Sequence, residues 1–400
     1  PRYGRGYEPL PPRRFVPPTP PLSTATPAPR PARRYLSGVV GVVALLAALA
    51  ALAYYTVDVR PVNLAGIPPW EQQSGAVAAP LPLAAPAAQP RAVATSIAVP
   101  TVRTTLAVGP TPGHLQLAPD GSFGLIAHRD AGFVSVFDTA TDTITATIPV
   151  PAGPPWYMSF SPDGARAYLS IYDPARSVNA IAVLDLASRS VVATIPVGRR
   201  PMASAVTPDG SRLWVPSHDD GILDIIDTAT DAVVGTVAVP PDPHWVAISD
   251  DGRRAYVADH ESNVVTVLDT ASTAVLATIP VGTSPHSAAV AIGHEQVAVV
   301  SFDASTVSLI DPATNAVVAE VPVGKDPQDV DFAPDGRYLY TANVDDDSVS
   351  VVDTTAHAVT ATIPVCDAPT SVSAGPDGRQ AFVTCLNSGE VVVLDTTAGR

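Results

Sequence analysis

EVPVGKDPQDVDFAPDGRYLYTANVDDDSVSVVDTTAHAVTA, from Glu320 to Ala361, is repeated with variation through most of the chain. Its first residue aligns with Thr105, Thr147, Thr194, Thr236, Thr278 and Thr362, at intervals of 42, 47, 42, 42, 42 and 42 residues. A fixed period of this size is the mark of a repeat architecture. Each copy holds four short runs in which apolar and polar residues alternate, the period-two signal of half-buried strands. In the copy at Thr236 these are TVAV, HWVAI (His244 to Ile248), RRAYVAD (Arg253 to Asp259) and VVTVLD (Val264 to Asp269).

Turn chemistry separates the runs. Pro-Asp-Gly follows the second run in five copies, at Asp120, Asp163, Asp209, Asp335 and Asp377. Proline presets φ, aspartate bonds back to the backbone, and glycine accepts a positive φ. An aspartate opens the turn after the fourth run in all seven copies, from Asp138 to Asp395, where its carboxylate is placed to cap free N–H groups. Four antiparallel runs joined by tight turns make one propeller blade. The chain supplies seven leading strands and seven three-strand groups, but the first leading strand, Thr105 to Val108, has no group of its own. The last group, ending at Asp395, lacks a strand. Pairing the two completes seven blades and removes the open edges. The predicted fold is therefore all-β: a seven-bladed β-propeller of four-stranded antiparallel blades, closed by an N-terminal strand and occupying residues 101–400.

The residues ahead of it differ in kind. Residues 1–34 contain eleven prolines, seven arginines and one acidic residue, a composition that cannot bury a core and predicts a disordered tail. Leu36 to Tyr55 carries no charge over twenty residues, enough for a helix to span the ~30 Å of a bilayer's hydrocarbon. Tyr35, Tyr54 and Tyr55 flank it as interfacial aromatics, and a transmembrane helix over 35–57 is expected. Arg30, Arg33 and Arg34 on its N-terminal side place the tail in the cytoplasm and the repeats outside, by the positive-inside rule. The competing reading is a cleaved signal peptide with Ala51-Leu52-Ala53 as its site. The 35 residues in front favour the anchor. An Ala/Pro-rich tether follows over 58–100.

Charge is divided along the chain. Through Arg60 there are eight basic and two acidic residues; beyond it, 15 basic and 36 acidic. A surface this acidic repels phosphate backbones, which excludes nucleic acid as a partner of the repeats. Cys366 and Cys385, the only cysteines, both fall in the last copy at the same rim of a meander. Outside a membrane, a disulfide there is expected to staple the closing blade, against the alternative of two separate buried thiols.

The copies resemble the YVTN-type β-propeller repeat family. The namesake tetrapeptide stands as Tyr340-Thr341-Ala342-Asn343 and Tyr256-Val257-Ala258-Asp259, beside TIPVG starts at Thr194 and Thr278 and Asp-Thr-Ala-Thr ends at Asp138 and Asp227. The resemblance covers about three quarters of the chain and implies the fold. Similar propellers occur in cell-surface proteins, a periplasmic DNA-binding protein, lactonases and metal-centred reductases, so it assigns no chemistry. The layout also resembles the sensor half of bacterial receptor-type serine/threonine kinases. No Gly-rich loop before a lysine strand, H-R-D or D-F-G is present, so the expectation is that any kinase lies upstream of Pro1 or has been lost.

Because strands alternate in direction, the loops leading into each blade and those after its second strand share one rim. Behind each blade's first proline come Gly113-His114, Trp156-Tyr157, Met202-Ala203, His244-Trp245, His286-Ser287, Gln328-Asp329 and Thr370-Ser371. The second set includes His128-Arg129, Tyr172-Asp173, His218-Asp219, His260-Glu261, Asp303 and Asp345-Asp346-Asp347. Six of the eight histidines thus map to one face, while His294 and His357 fall at or near the other. Variation on one rim of a repeated scaffold is where binding concentrates. Three uses of that rim follow. A ligand or protein surface would use His114, Trp156, Tyr157, His244, Trp245, His286, Gln328, Asp329, His218 and His260. A metal would need His114, His244 and His286, or the acidic run at Asp345, which lacks the spaced oxygens of a calcium loop. A lactonase-like hydrolase would need a base such as His286 with Glu261 or Asp329. No Ser/His/Asp order, CxxC pair or phosphate-binding glycine loop is present. The expectation is a single-pass, extracytoplasmic binding module, non-catalytic and without a cofactor, recognising a protein, glycan or small molecule.

Overall fold

A computed structural model describes residues 92–294 and 296–398. The chain divides into Pro1–Leu64 and Ala65–Arg400, and every described residue belongs to the second unit. The expected tail, the span from Leu36 to Tyr55 and the tether as far as residue 91 lie outside the described residues. Among the described residues, no helix is long and apolar enough to cross a membrane.

The strands form seven four-stranded antiparallel sheets. Six are consecutive meanders, beginning with Pro112–Leu117, Phe123–His128, Phe133–Asp138 and Thr143–Pro149 as blade 1. The innermost strands of blades 1 to 7 are Pro112–Leu117, Pro155–Phe160, Ala205–Val206, Pro243–Ile248, Pro285–Val290, Pro327–Phe332 and Pro369–Ala374. Each touches the next, and the seventh touches the first, so the sheets close into a propeller. Blade 7 takes its outer strand, Ser96–Ala107, from the front of the chain. Thr105, Leu106 and Ala107 stand opposite Val392, Val391 and Glu390, the pairing required to balance the strand count.

That closing strand starts five residues ahead of the boundary expected at 101. Side-chain chemistry fixes the extra length: the Ser96 N–H and hydroxyl both donate to the Asp335 carboxylate at 2.7 Å. The Ala94 N–H donates to the Asp377 carbonyl (2.9 Å), and the Thr360 hydroxyl to the Ala98 carbonyl (2.8 Å). The described chain therefore joins the propeller at the rim built of Pro-Asp-Gly turns. Those turns follow their sequence. Asp163, Asp209 and Asp377 each accept the backbone N–H two residues on at 3.0 Å, and Gly164, Gly210 and Gly378 have φ of 67°, 73° and 74°. Asp138, Asp185 and Asp269 cap the other turns of this rim, accepting from Thr141, Ser188 and Ser272 N–H groups at 2.7–2.8 Å.

Between blades the core is aromatic at a repeated position. Tyr168, Trp214, Tyr256, Tyr340 and Phe382 each occupy the middle of a second strand and are fully buried. Trp214 is thus packing, as its strand position suggests. Cys366 and Cys385 are joined as a disulfide with Cα atoms 5.8 Å apart. Cys366 follows the outer strand of blade 6 (Ala358–Pro364) and Cys385 ends the second strand of blade 7 (Gln380–Cys385), so the link ties neighbouring blades.

Candidate binding rim

Every innermost strand but that of blade 3 carries a register shift at its start, immediately behind the proline: Pro155/Tyr157, Pro243/Trp245, Pro285/Ser287, Pro327/Asp329, Pro369/Ser371 and, one residue longer, Pro112/Leu115. A bulge releases one residue from the ladder and re-aims its side chain. The residues so released are Trp156, His244, His286, Gln328 and Thr370. In six blades the residue before the proline is left-handed: Thr111, Arg200, Asp242, Ser284, Asp326 and Ala368 have φ between 47° and 62°. In blades 1, 4, 5, 6 and 7 the chain thus turns a left-handed corner and then departs from the ladder just behind the proline.

These side chains bind blade to blade. His244 Nδ1 donates to the His286 carbonyl (3.0 Å), and His286 Nδ1 to the Gln328 carbonyl (2.9 Å). The Thr370 hydroxyl likewise donates to the Gly113 carbonyl (2.7 Å). A carbonyl can only accept, so Nδ1 carries the proton in both histidines and Nε2 keeps its lone pair. His218, on the turn His218–Asp220 of blade 3, faces Asp219 Oδ1 at 3.0 Å with the Arg200 guanidinium farther off at 3.5 Å. His260, on the turn His260–Ser262 of blade 4, has the Glu261 carboxylate 3.3 Å from its Nδ1.

The four rings form one cluster. His244 and His286 lie 3.7 Å apart between ring centres, His260 is 5.7 and 5.9 Å from them, and His218 is 6.0 Å from His244 and 6.5 Å from His260. Phe302 backs His286 at 5.7 Å. Burial pushes His218 and His286 down to about 3 and His244 well below its usual value, and lowers His260 as well, so the cluster is neutral at physiological pH. Among the described residues, no group of three or more His, Cys, Asp or Glu side chains is placed to hold a metal ion.

His114 stands apart from this cluster. Its ring meets Tyr157 and Trp245, each 5.6 Å away, and those two lie 5.7 Å from one another. Burial lowers His114 to about 3. The trio of His114, His244 and His286 considered for a metal is therefore split, and His218 and His260 stand in place of His114. The trio of His114, Tyr157 and Trp245 covers one arc of the throat; hydroxyls and a carboxylate cover the other. Asp329 accepts from the hydroxyls of Ser287 and Ser371, both at 2.8 Å, and from the Val330 and Val372 N–H groups. Burial raises it to about 6 despite those bonds. Below it Asp331 faces the same channel, a cavity of about 360 Å³, and is raised to about 7 by burial, with Asp329 adding repulsion.

The remaining rim candidates have structural partners. Trp156 stacks on Tyr172 at 4.4 Å, donates its indole N–H to the Tyr172 carbonyl (2.9 Å), and has the Arg129 guanidinium 5.0 Å from its ring centre. His128 is saturated, with Nδ1 donating to the Pro110 carbonyl and Nε2 accepting from Ser135. Neither proposed partner of a His286 base stands with it: Glu261 faces His260, and Asp329 is held by hydroxyls. Asp345 pairs with Lys325 at 2.9 Å. Residues not foreseen at the site are Arg200, Phe302 and Asp331. The proline that follows Arg200 was the available signal, because it marks the corner that brings the guanidinium to the mouth.

No family model matches the chain, and no curated relative matches it. Among solved structures it is similar to a chain of Kuenenia stuttgartiensis hydrazine synthase, with a TM-score of 0.66 and 21% identity, covering 72% of this chain and 97% of that one. That likeness concerns the propeller fold.

Proposed function

We propose that this protein is a membrane-anchored, extracytoplasmic binding module that holds its ligand on the histidine-rich rim, as a sensor or surface scaffold. The observation that carries this reading is the asymmetry of the two rims. One repeats the same aspartate-capped turns; the other uses a recurring backbone corner to present side chains that vary among the blades. His244, His286, Trp245, Tyr157 and the turn residues His218 and His260 thereby surround one mouth. The inter-blade hydrogen bonds supply preorganisation, so recognition needs little backbone movement. The described chain joins the propeller at the Pro-Asp-Gly rim, which leaves the opposite rim clear of that connection.

A panel of glycans, amines and carboxylates, scored by thermal shift of the full chain, tests the reading. Ligands that stabilise the protein are expected to lose at least about tenfold in affinity in Trp245→Ala, while far-ultraviolet dichroism stays native. Unchanged binding in Trp245→Ala and His260→Ala together removes the rim as the site. Hydrolysis of a lactone panel, lost in His286→Ala, would instead establish the hydrolase reading.

A further inference from the structure

The channel below the throat is separate from the histidine rim. Its cavity of about 360 Å³ is lined by Pro119, of the Pro-Asp-Gly turn at Asp120, and by none of the four clustered histidines. Burial follows the same direction. His114, Ser287, Asp329 and Ser371 at the throat are buried, whereas Gln116, Phe160, Val206 and Val290 are half-buried. The throat is thus the floor of a pocket that opens toward the Pro-Asp-Gly rim. Its walls are mostly small or apolar, Ala203, Ala205 and Ala289 among them, with Trp245 at the inner end. The volume falls within the ~300–1,000 Å³ of small-molecule sites.

Asp331 stands in this pocket with hydrogen-bonding capacity to spare. It lies four residues before Asp335 of its turn, and the same place in the other copies holds alanine three times, serine twice and glutamine once. The repeat folds without a carboxyl there, and burying one is unfavourable unless partners are found. Asp331 finds two, the Phe332 N–H on one oxygen and the Ala374 N–H on the other. A carboxylate accepts about four hydrogen bonds, so half its capacity is open. Asp329, in contrast, already accepts four. No lysine or arginine is among the described residues lining the cavity, and burial keeps His114 at its inner end neutral. His114 Nδ1 is also buried without a hydrogen-bond partner. A pocket with an open carboxyl and no cation repels carboxylates and phosphates and suits a cationic hydrogen-bond donor. We propose that the channel is a second binding site, entered from the Pro-Asp-Gly rim. It takes the ammonium group of a small organic amine on Asp331 and packs the amine's apolar part against the alanine walls and Trp245.

This site does not depend on the rim reading, and different variants test the two. The full chain is titrated calorimetrically with benzylammonium and hexylammonium chloride, and with benzyl alcohol and hexanol as uncharged controls of similar shape. The titrations are run near pH 8, above the value of about 7 to which burial raises Asp331, so that the carboxyl is ionised. One equivalent of ammonium is expected to bind with Kd below about 1 mM, at least about tenfold tighter than the matching alcohol. Asp331→Asn removes the charge, and Ala205→Leu narrows the cavity from blade 3; each is expected to weaken binding at least about tenfold. His260→Ala, on the other rim, should leave it intact. Should Asp331→Asn fail to fold, judged by its melting curve, Ala205→Leu decides alone. No saturable ammonium binding up to about 10 mM, equal binding of the alcohols, or a folded Asp331→Asn that titrates like the parent overturns the proposal. Amine binding that His260→Ala removes and Asp331→Asn leaves intact would likewise overturn the channel site while supporting the rim.

Discussion

Asp331 lines the channel below the rim, and its surroundings there set its protonation. Its carboxylate accepts only the Phe332 and Ala374 N–H groups, both at 2.9 Å, and burial in the channel raises it to about 7. A carboxyl whose folded value lies above its unfolded value keeps its proton longer in the native state. The stability linked to this group is therefore fully present below about pH 4 and is lost as pH rises through about 7. Asp331→Asn removes this dependence but leaves one N–H facing an amide donor, a cost that does not vary with pH. Denaturant unfolding at pH 4.5 and pH 8 should show the parent's advantage over the variant shrinking by roughly 1–2 kcal/mol, after allowance for solvent in the channel. An advantage that stays constant or grows with pH would contradict the assignment. Asp329 is a different case, because it ties blades 5, 6 and 7 through Ser287 and Ser371. Asp329→Ala should destabilise by about 2–4 kcal/mol in the same measurement, since it strands two buried hydroxyls and two N–H groups. At this scale the sequence was informative about which histidines share a rim, because strand alternation decides that. It was silent on Phe302, whose approach depends on neighbouring blades, and it marked Arg200 only through the proline that follows it.

Glycine and cysteine exchange places at one corner of the repeating element. A Cβ added to Gly198 or Gly282 would lie 2.6 or 2.8 Å from the Cβ of Ser217 or Ser301, and on Gly324 it would collide with Asn343. Backbone and second strand approach so closely there that only glycine fits. Cys366 takes the same place before blade 7, opposite Cys385, and the close approach becomes a covalent bond. The spacing of the two cysteines within the repeat made their shared rim legible; the close approach that permits the bond was not, because it is a distance between elements. Reversion to the pattern of the other blades, Cys366→Gly with Cys385→Ser, should fold with an intact rim but lose about 2–3 kcal/mol by chemical denaturation. The opposite change, Gly282→Ala, should cost about 1–3 kcal/mol through overpacking. Equal stability of the double variant and the parent would show that the disulfide contributes nothing beyond what Gly and Ser supply elsewhere. Bulges at the blade starts were likewise invisible in the alternation pattern, since one extra residue behind a proline leaves the hydrophobic period on either side unchanged.

For the molecule as a whole, closure decides whether a rim exists. The blade number followed from counting strands, because each turn type carries its own residue signature. The closing pair followed from the requirement that no edge be left open. What the count could not supply was the anchoring of Ser96 on Asp335, a contact between segments 239 residues apart. The site depends on the closed ring in a direct way: Thr370 of blade 7 donates to Gly113 of blade 1, and Ser371 accepts from the Leu115 N–H at 3.3 Å, across the seam. Opening the seam should loosen the throat that His114, Tyr157 and Trp245 line, and with it the footing of the neighbouring histidines. Native-state hydrogen exchange resolves this most directly, comparing the full chain with one in which residues 96–107 are replaced by a Gly/Ser segment. The account predicts that amides of Val391, Val392 and Val393 are protected as strongly as those of Val349 to Val352 in the full chain. In the replaced chain protection should collapse there and at Leu115, with ligand binding at the rim lost alongside. Full protection of Val391–Val393 and an undisturbed rim after replacement would contradict closure by the N-terminal strand.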